Sequence, residues 1–499
     1  MRRRAFQSNG GQLLSGLHQP GVTQVTSRPK KSSVLCAFMK SERIRKQLLL
    51  LFVGLQSALW AQPDLAQSTA ALSPVVETGA TAAAADTTAS ETFFIGLEFR
   101  PRTEFRNGYR LLRSDSSSAA FFTENRTRLN LSYQRKGFRF HTSIQDIRVW
   151  GEQDPRGTSG TFQVFEGYVE PSLGSDWSMR IGRQRVMYDN QRLFAQNDWR
   201  QNAGSHDGVR IMLNKTRYQL EAFGAFNQEA GAQTRFFGTD FSPDFDQYKA
   251  LLVHYGHFKL SETFTLTTLH GTDVFQDKDS VRVSHWRHTS GGRAEAFHNK
   301  WYATIAGYYQ YGRNDRGTVL AAWYVQPELS TAVGKNWKFR LGAEVFSGNN
   351  GLNPDSRDHA FDALYGVNHR FLGSMDYFTN FPGDLNGAGI LAPYLFTFFE
   401  AGSKVTLRAD AHLFYSQNHF VPEGASVAQD KYLGFENDWL LRYRPNNFTM
   451  LDVGYSYGLF TESMEQIRKG GNSQLWQSWA YVMVTFTPEL FCWNKGPKT

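Results

Sequence analysis

From Phe93 onward, apolar and polar positions alternate with a period of two in short runs, and the runs are separated by Gly, Asn, Asp and Ser. "RTRLNLSY" sets Arg126, Arg128, Asn130 and Ser132 against Thr127, Leu129, Leu131 and Tyr133. "FRFHTSIQ" (138–145) and "KFRLGAEV" (338–345) behave alike, as do "VTLRADAHLFY" (405–415) and "YLGFENDWLLRY" (432–443). Period two predicts strands with one polar and one apolar face. In a soluble sandwich the apolar face would be the inner one. In a membrane barrel it faces lipid, and the polar face lines a wet lumen. Fixed charges of both signs on the polar face favour the barrel, as do aromatics near strand ends in "WLLRY" and "WYATIAGYYQY". The runs predict an all-β, closed antiparallel transmembrane barrel of eighteen strands, with sixteen as the alternative. Polar segments at 227–247, 274–286, 347–388 and 416–430 read as extracellular loops or plugs. The last strand, "SWAYVMVTFTPELF", ends at Phe491, which leaves 492–499 as a tail.

The chain ahead of the alternation reads differently. "MKSERIRKQ" is a basic n-region starting at Met39, "LLLLFVGLQSALW" (48–60) is an apolar run, and Ala61 precedes a cut. Residues 39–61 therefore read as a secretory signal peptide. Residues 1–38 are an upstream-start artefact or a disordered extension, and 62–91 an Ala/Thr/Ser linker. The barrel is expected over 92–491.

Composition supports this division. Aromatics reach 15% while charged residues are 20%, and mean hydropathy is negative. That combination suits thin two-faced strands and not bundled transmembrane helices. Of 54 Lys and Arg, ten precede residue 62, and of 46 acids only Glu42 does, leaving 44 bases against 45 acids. The basic excess belongs to the leader and implies no nucleic-acid partner. The two cysteines, Cys36 and Cys492, give the mature chain no internal disulfide and no cysteine metal cluster.

Three blocks resemble the alginate export family of outer-membrane barrels. They are "FRPRTEFRNGYR" with "NRTRLNLSY" and "IQDIRVWGE" (99–152), "RIGRQRVMYDNQRLFAQNDWRQNAGSHDGVRI" (180–211) and "SGNNGLNPDSRDHAFDALYGVNHRFLGSMDYF" (347–378). The resemblance implies a bacterial outer-membrane location and a porin-like eighteen-stranded barrel. It further implies an arginine-rich lumen that passes an anionic polysaccharide or a smaller anionic solute. The expected partners are that cargo and the lipid, and the barrel is expected to be monomeric.

Arginine suits such a cargo because its planar fork matches a carboxylate and stays charged. By parity, Arg126, Arg128, Arg139, Arg180, Arg210, Arg340, Arg408 and Arg442 face the lumen. Arg183 and Arg200 join them from the family-like block. Asp146, Asp198, Asp207, Glu344, Asp410, Glu436 and Asp438 are the interleaved acids. A structural reading stands beside this one: opposite charges on neighbouring strands pair across the wall and stiffen it. Within 180–211, the arginines meet either a carboxylated polymer or only Asp189, Asp198 and Asp207.

Enzyme signals are weak. "GYSYG" around Ser456 fits G-x-S-x-G but lies in alternation, without a strand-to-helix turn. No H-E-x-x-H, close His pair or phosphate loop is present, so neither metal nor cofactor is expected. Besides a channel, a non-transporting barrel that binds or attaches at the cell surface fits the sequence.

Overall fold

The computed structural model describes residues 91–152, 162–228, 248–277, 280 and 283–496. The expected leader, signal peptide and most of the linker lie outside the described residues. Strands run in chain order as β1 (Glu91–Asn107), β2 (Ala120–Arg135), β3 (Phe138–Val149), β4 (Gln163–Pro171), β5 (Trp177–Gln184) and β6 (His206–Asn214). Next come β7 (Tyr218–Phe226), β8 (Ala250–Lys259), β9 (Phe264–Gln276), β10 (Ser284–His298), β11 (Trp301–Arg313), β12 (Val319–Val333) and β13 (Trp337–Phe346). The series ends with β14 (Ile390–Glu400), β15 (Val405–Ser416), β16 (Tyr432–Asn446), β17 (Thr449–Phe460), β18 (Gln477–Phe486) and β19 (Glu489–Lys495). Among the described residues, a short α-helix, α1 (Glu462–Arg468), lies between β17 and β18.

From β1 to β18 each strand pairs antiparallel with the next, and β18 returns to β1, so the sheet is closed. Closure removes the edges that an open sheet would expose. β18 and β19 occupy successive stretches of the same side of β1: Phe99 pairs with Phe486, and Gly96 with Glu489. The barrel thus has eighteen staves, the last broken at Pro488, which has no N–H to donate. Strand pairing runs to Lys495, so residues 492–495 of the expected tail continue the barrel wall.

Polarity is reversed relative to a soluble protein. Leu252 is 55% exposed and Trp439 54%, while Arg126 and Glu344 are wholly buried. A continuous outer face of Leu, Val and aromatic side chains around a closed sheet is the face such a barrel turns to hydrocarbon. Outward aromatics gather near strand ends, with Trp177, Trp301 and Trp337 at one rim and Phe121, Tyr311 and Trp476 at the other. This is the placement of interfacial belts.

The two rims differ. One carries short turns, such as 136–137, 299–300 and 447–448. The other carries the long connections, and two of these, 185–205 and 347–389, fold into the lumen and meet there. Phe194 bridges Tyr365 in parallel, and Leu193 O accepts from Tyr365 N at 3.0 Å. Phe361, Phe371, Leu372, Met375, Tyr377 and Phe378 from the longer connection pack with Tyr188 and Phe194 from the shorter. The wall contributes Tyr324, Phe346, Phe414 and Trp479 to the same apolar cluster. β9 and β10 extend into the expected loop at 274–286, β9 ending at Gln276 and β10 beginning at Ser284.

Candidate functional site in the barrel lumen

The densest charge lies on the β1–β2 wall. Strict alternation in β1 puts Glu98, Arg100, Arg102 and Glu104 on the buried face. Register sets Arg126 opposite Arg100, and Arg128 opposite Glu98. Like charges directly opposed would repel, and the 185–205 connection supplies the counter-charge. Asp198 lies 3.0 Å from Arg126, 3.4 Å from Arg128 and 3.5 Å from Arg100. Burial opposes ionisation of Asp198, but Arg126, Arg100 and Arg128 outweigh it and hold the carboxyl well below the usual range. Backbone carbonyls complete the fit. Arg100 donates to Asp198 O at 2.8 Å and Arg102 to Trp199 O at 2.8 Å. Gln201 accepts from Arg100 at 2.9 Å. Buried guanidiniums are tolerated because nearly every donor finds an acceptor.

The other predicted residues are mostly paired as well. Arg180 bonds Glu170 at 2.6 Å, and Arg442 bonds Asp452 at 2.7 Å. Arg408 bonds Asp410 at 2.5 Å, and Arg340 approaches Glu328 at 3.3 Å. Arg210 donates to Arg185 O at 2.7 Å and lies 3.7 Å from Glu221. Glu344 accepts from Arg192 at 2.6 Å and from Tyr324 at 3.1 Å. Glu436 and Asp438 stand buried on β16. Arg139 shares the lumen face of β3 with His141, half-buried near the short-turn rim and with no carboxylate bound. Arg200 is exposed on the inward connection, likewise without one.

Three predicted residues do not line the lumen. Arg183 and Asp207 lie on the outer face with Ile181 and Val209 and bond each other at 2.7 Å. Asp146 stands on the outer face of β3 and pairs with Arg148 at 2.5 Å. The reason is parity. Each is an odd number of residues from a lumen-facing neighbour (Arg180, Arg210 and Gln145), and an odd step crosses the sheet. Ser456 lies mid-strand on β17, buried opposite Asp438.

Several lumen residues escaped the sequence reading. Arg287 joins Asp273 (2.7 Å) to Asp362 of the long connection (2.5 Å). Arg293 bonds Glu295 at 2.9 Å and Tyr302 at 2.9 Å. Parity along "WRHTSGGRAEAF" would have placed both inside. Arg192 carried no such signal, because alternation has no meaning in a loop. Asp189 accepts from Tyr255 at 2.9 Å and Tyr308 at 3.0 Å, and burial pushes its carboxyl up despite these bonds.

Beside the charged wall is an aromatic platform. Trp199 stacks on His369 at 4.4 Å and meets Tyr481 edge-on at 5.0 Å. Arg102 lies 4.2 Å over Trp199, and Arg106 lies 4.2 Å over Tyr109. Trp199, Tyr109, His369 and Tyr481 are all only partly buried. Away from it, a cavity of about 850 Å³ opens among the long connections, lined by Asn349, Asp355, His359, Asn418 and Lys469 among others.

A family model described as alginate export matches residues 92–446, from the first strand to the end of β16. The chain belongs to the alginate export family. Its barrel is similar to outer-membrane structures from Pseudomonas aeruginosa. OccD3 (OpdP) is 11% identical, with 81% of this chain and 93% of that chain covered and a TM-score of 0.55. OccK1 (OpdK) is also 11% identical, with coverage of 81% and 99% and a TM-score of 0.55. OpdK with vanillate gives 11%, 81%, 99% and 0.54. At this identity the likeness is one of fold. No curated protein matches the chain. This alginate export family member is an outer-membrane β-barrel of the porin-like, channel-forming kind.

Proposed function

We propose that this barrel passes an anionic polysaccharide, or a smaller carboxylated solute, across the outer membrane. The observation that carries the reading is the platform of Trp199, Tyr109 and Tyr481, with Arg102 and Arg106 over its rings and the exposed Arg200 next to Trp199 in the chain. A sugar acid offers a CH-rich face to an aromatic ring and a carboxylate to a guanidinium; Arg102 and Arg106 are paired with Glu104, so Arg200 is the guanidinium left here to meet the carboxylate. Family membership supports the polymer, and the neighbour holding vanillate, a carboxylate, supports a small solute. Most buried arginines are already satisfied by acids, so they shape the passage and position the connections. Selection falls to the exposed Arg200 and to Arg139 near the opposite rim. The long-connection rim is taken as extracellular, because outer-membrane barrels keep their short turns in the periplasm. The closed sheet leaves no edge that requires a partner, consistent with a monomer.

Planar-bilayer recording tests this. Anion-selective reversal potentials are expected, with current blocked by polyuronate in the micromolar-to-millimolar range. Arg200→Ala should weaken the block more than it alters conductance. Cation selectivity, or currents indifferent to polyuronate, would sink the proposal. A barrel that stays non-conducting after deletion of 361–381 would favour the surface-binding alternative.

A further inference from the structure

On the lumen face of β15 and β16, Asp410 pairs directly across with Asp438, and His412 with Glu436. These four side chains form a two-by-two grid, and each is more than nine-tenths buried. One ligand atom from each of Asp410, His412 and Asp438 lies within 4.8 Å of the others. His412 Nε2 and Asp438 Oδ2 are 3.5 Å apart. That matches the ligand–ligand edge of about 3.4 Å in a tetrahedral site with bonds of about 2.1 Å.

Charge and hydrogen bonding are both incomplete in this grid. Arg408 bonds Asp410 through two nitrogens and compensates one carboxylate. The nearby Arg340 faces Glu328. Among the described residues, the hydrogen bonds that Glu436 and Asp438 accept from the long connection come from neutral backbone donors, Met375 N at 2.7 Å and Ser374 N at 3.3 Å. His412 Nδ1, Asp438 Oδ1 and Glu436 Oε2 are buried without a hydrogen-bond partner. Buried carboxylates in such excess require a proton or a cation. Imidazole beside carboxylates suits a first-row divalent ion better than calcium or magnesium.

We propose that Asp410, His412 and Asp438, with Glu436 Oε2 alongside, bind one zinc-class divalent cation. The ion would lie between the barrel wall and residues 373–375 and tie the inward connection down. Gly373 fits this role, since a Cβ there would come within 2.5 Å of Glu436 Oε1.

The full-length barrel, purified from outer membranes in detergent, would be loaded with Zn²⁺, freed of excess and measured by elemental mass spectrometry. One zinc per chain is expected. His412→Ala and Asp438→Asn should each weaken zinc binding at least about tenfold in chelator competition. His359→Ala, at the rim, should leave it unchanged. Heat-modifiable gel mobility would confirm that each variant is folded. If neither site variant folds, chelator treatment of the wild type is decisive, and removal of zinc should expose 347–389 to protease. Zinc content at background in the wild type would show a shared proton in place of a metal and overturn the proposal. So would undiminished zinc in a folded His412→Ala barrel, protease resistance unchanged by chelator, or retention of calcium in preference to zinc.

Discussion

The two inward connections occupy one lumen but are held by opposite physics. Residues 196–201 are fixed by charge, with Asp198 among Arg100, Arg126 and Arg128 and with carbonyls capping the guanidiniums. Residues 361–378 are fixed by apolar burial, through Phe361, Phe371, Leu372, Tyr377 and Phe378. Burying an ion pair costs desolvation that the attraction only roughly offsets, whereas burying a ring is favourable outright. The charged anchor therefore contributes geometry more than stability, and its arginines are occupied even without cargo. Lumen charge in this barrel is first a way of docking loops, and only the unsatisfied remainder is available to a solute.

The largest effect should come from the apolar side. Phe361→Ala is expected to cost about 3–5 kcal/mol, seen as a lower denaturant midpoint and raised single-channel conductance. A near-neutral result would break the comparison. Asp198→Ala should cost about 3 kcal/mol by leaving three buried guanidiniums short of an anion. Its signature would be protease cleavage within 185–205 while 347–389 stays protected.

A pH titration of docking should sharpen the contrast. The Asp198 carboxyl is held below its ordinary value, so its stabilisation is full above about pH 4, near the unfolded value. It is lost as pH falls below that. Asp189 runs the other way: burial raises its carboxyl, so its contribution is present at low pH and lost as pH rises through the raised value. Protease protection of the 196–201 stretch should thus fall under acid in the wild type, and the acid-dependent part should vanish in Asp198→Ala. The smallest effect is expected at Arg183→Ala on the outer face, where the side chains are 39% and 61% exposed. It should cost less than about 1 kcal/mol and leave conductance unchanged. A large change in conductance there would mean that the pair reaches the pore.

Legibility followed periodicity. In strands, one residue of known facing fixes the rest, so Arg126, Arg128, Arg340, Arg408 and Arg442 could be placed from sequence, and strict counting would also have turned Arg183, Asp207 and Asp146 outward. In connections no period exists. "HAFDALYGVNHRFLGSMDYF" reads as a polar loop, and only its content of Phe, Leu, Met and Tyr hints that it cannot stay in water. The pairing of Phe194 with Tyr365 joins residues far apart in the chain and left no local trace. The partnering of arginines by acids was equally hidden, since register between strands decides it.

The broken final stave has a consequence for assembly. β1 takes its second neighbour from residues 477–495, at the far end of the chain. Contacts of such sequence separation carry a high loop-closure cost and form slowly. Until they form, β1 and β17 each present a bare edge able to recruit another chain. The seam is thus expected to be the slowest pairing of the barrel to form. Truncation before Gln477 would remove every residue able to close it, leaving an open sheet prone to misassembly.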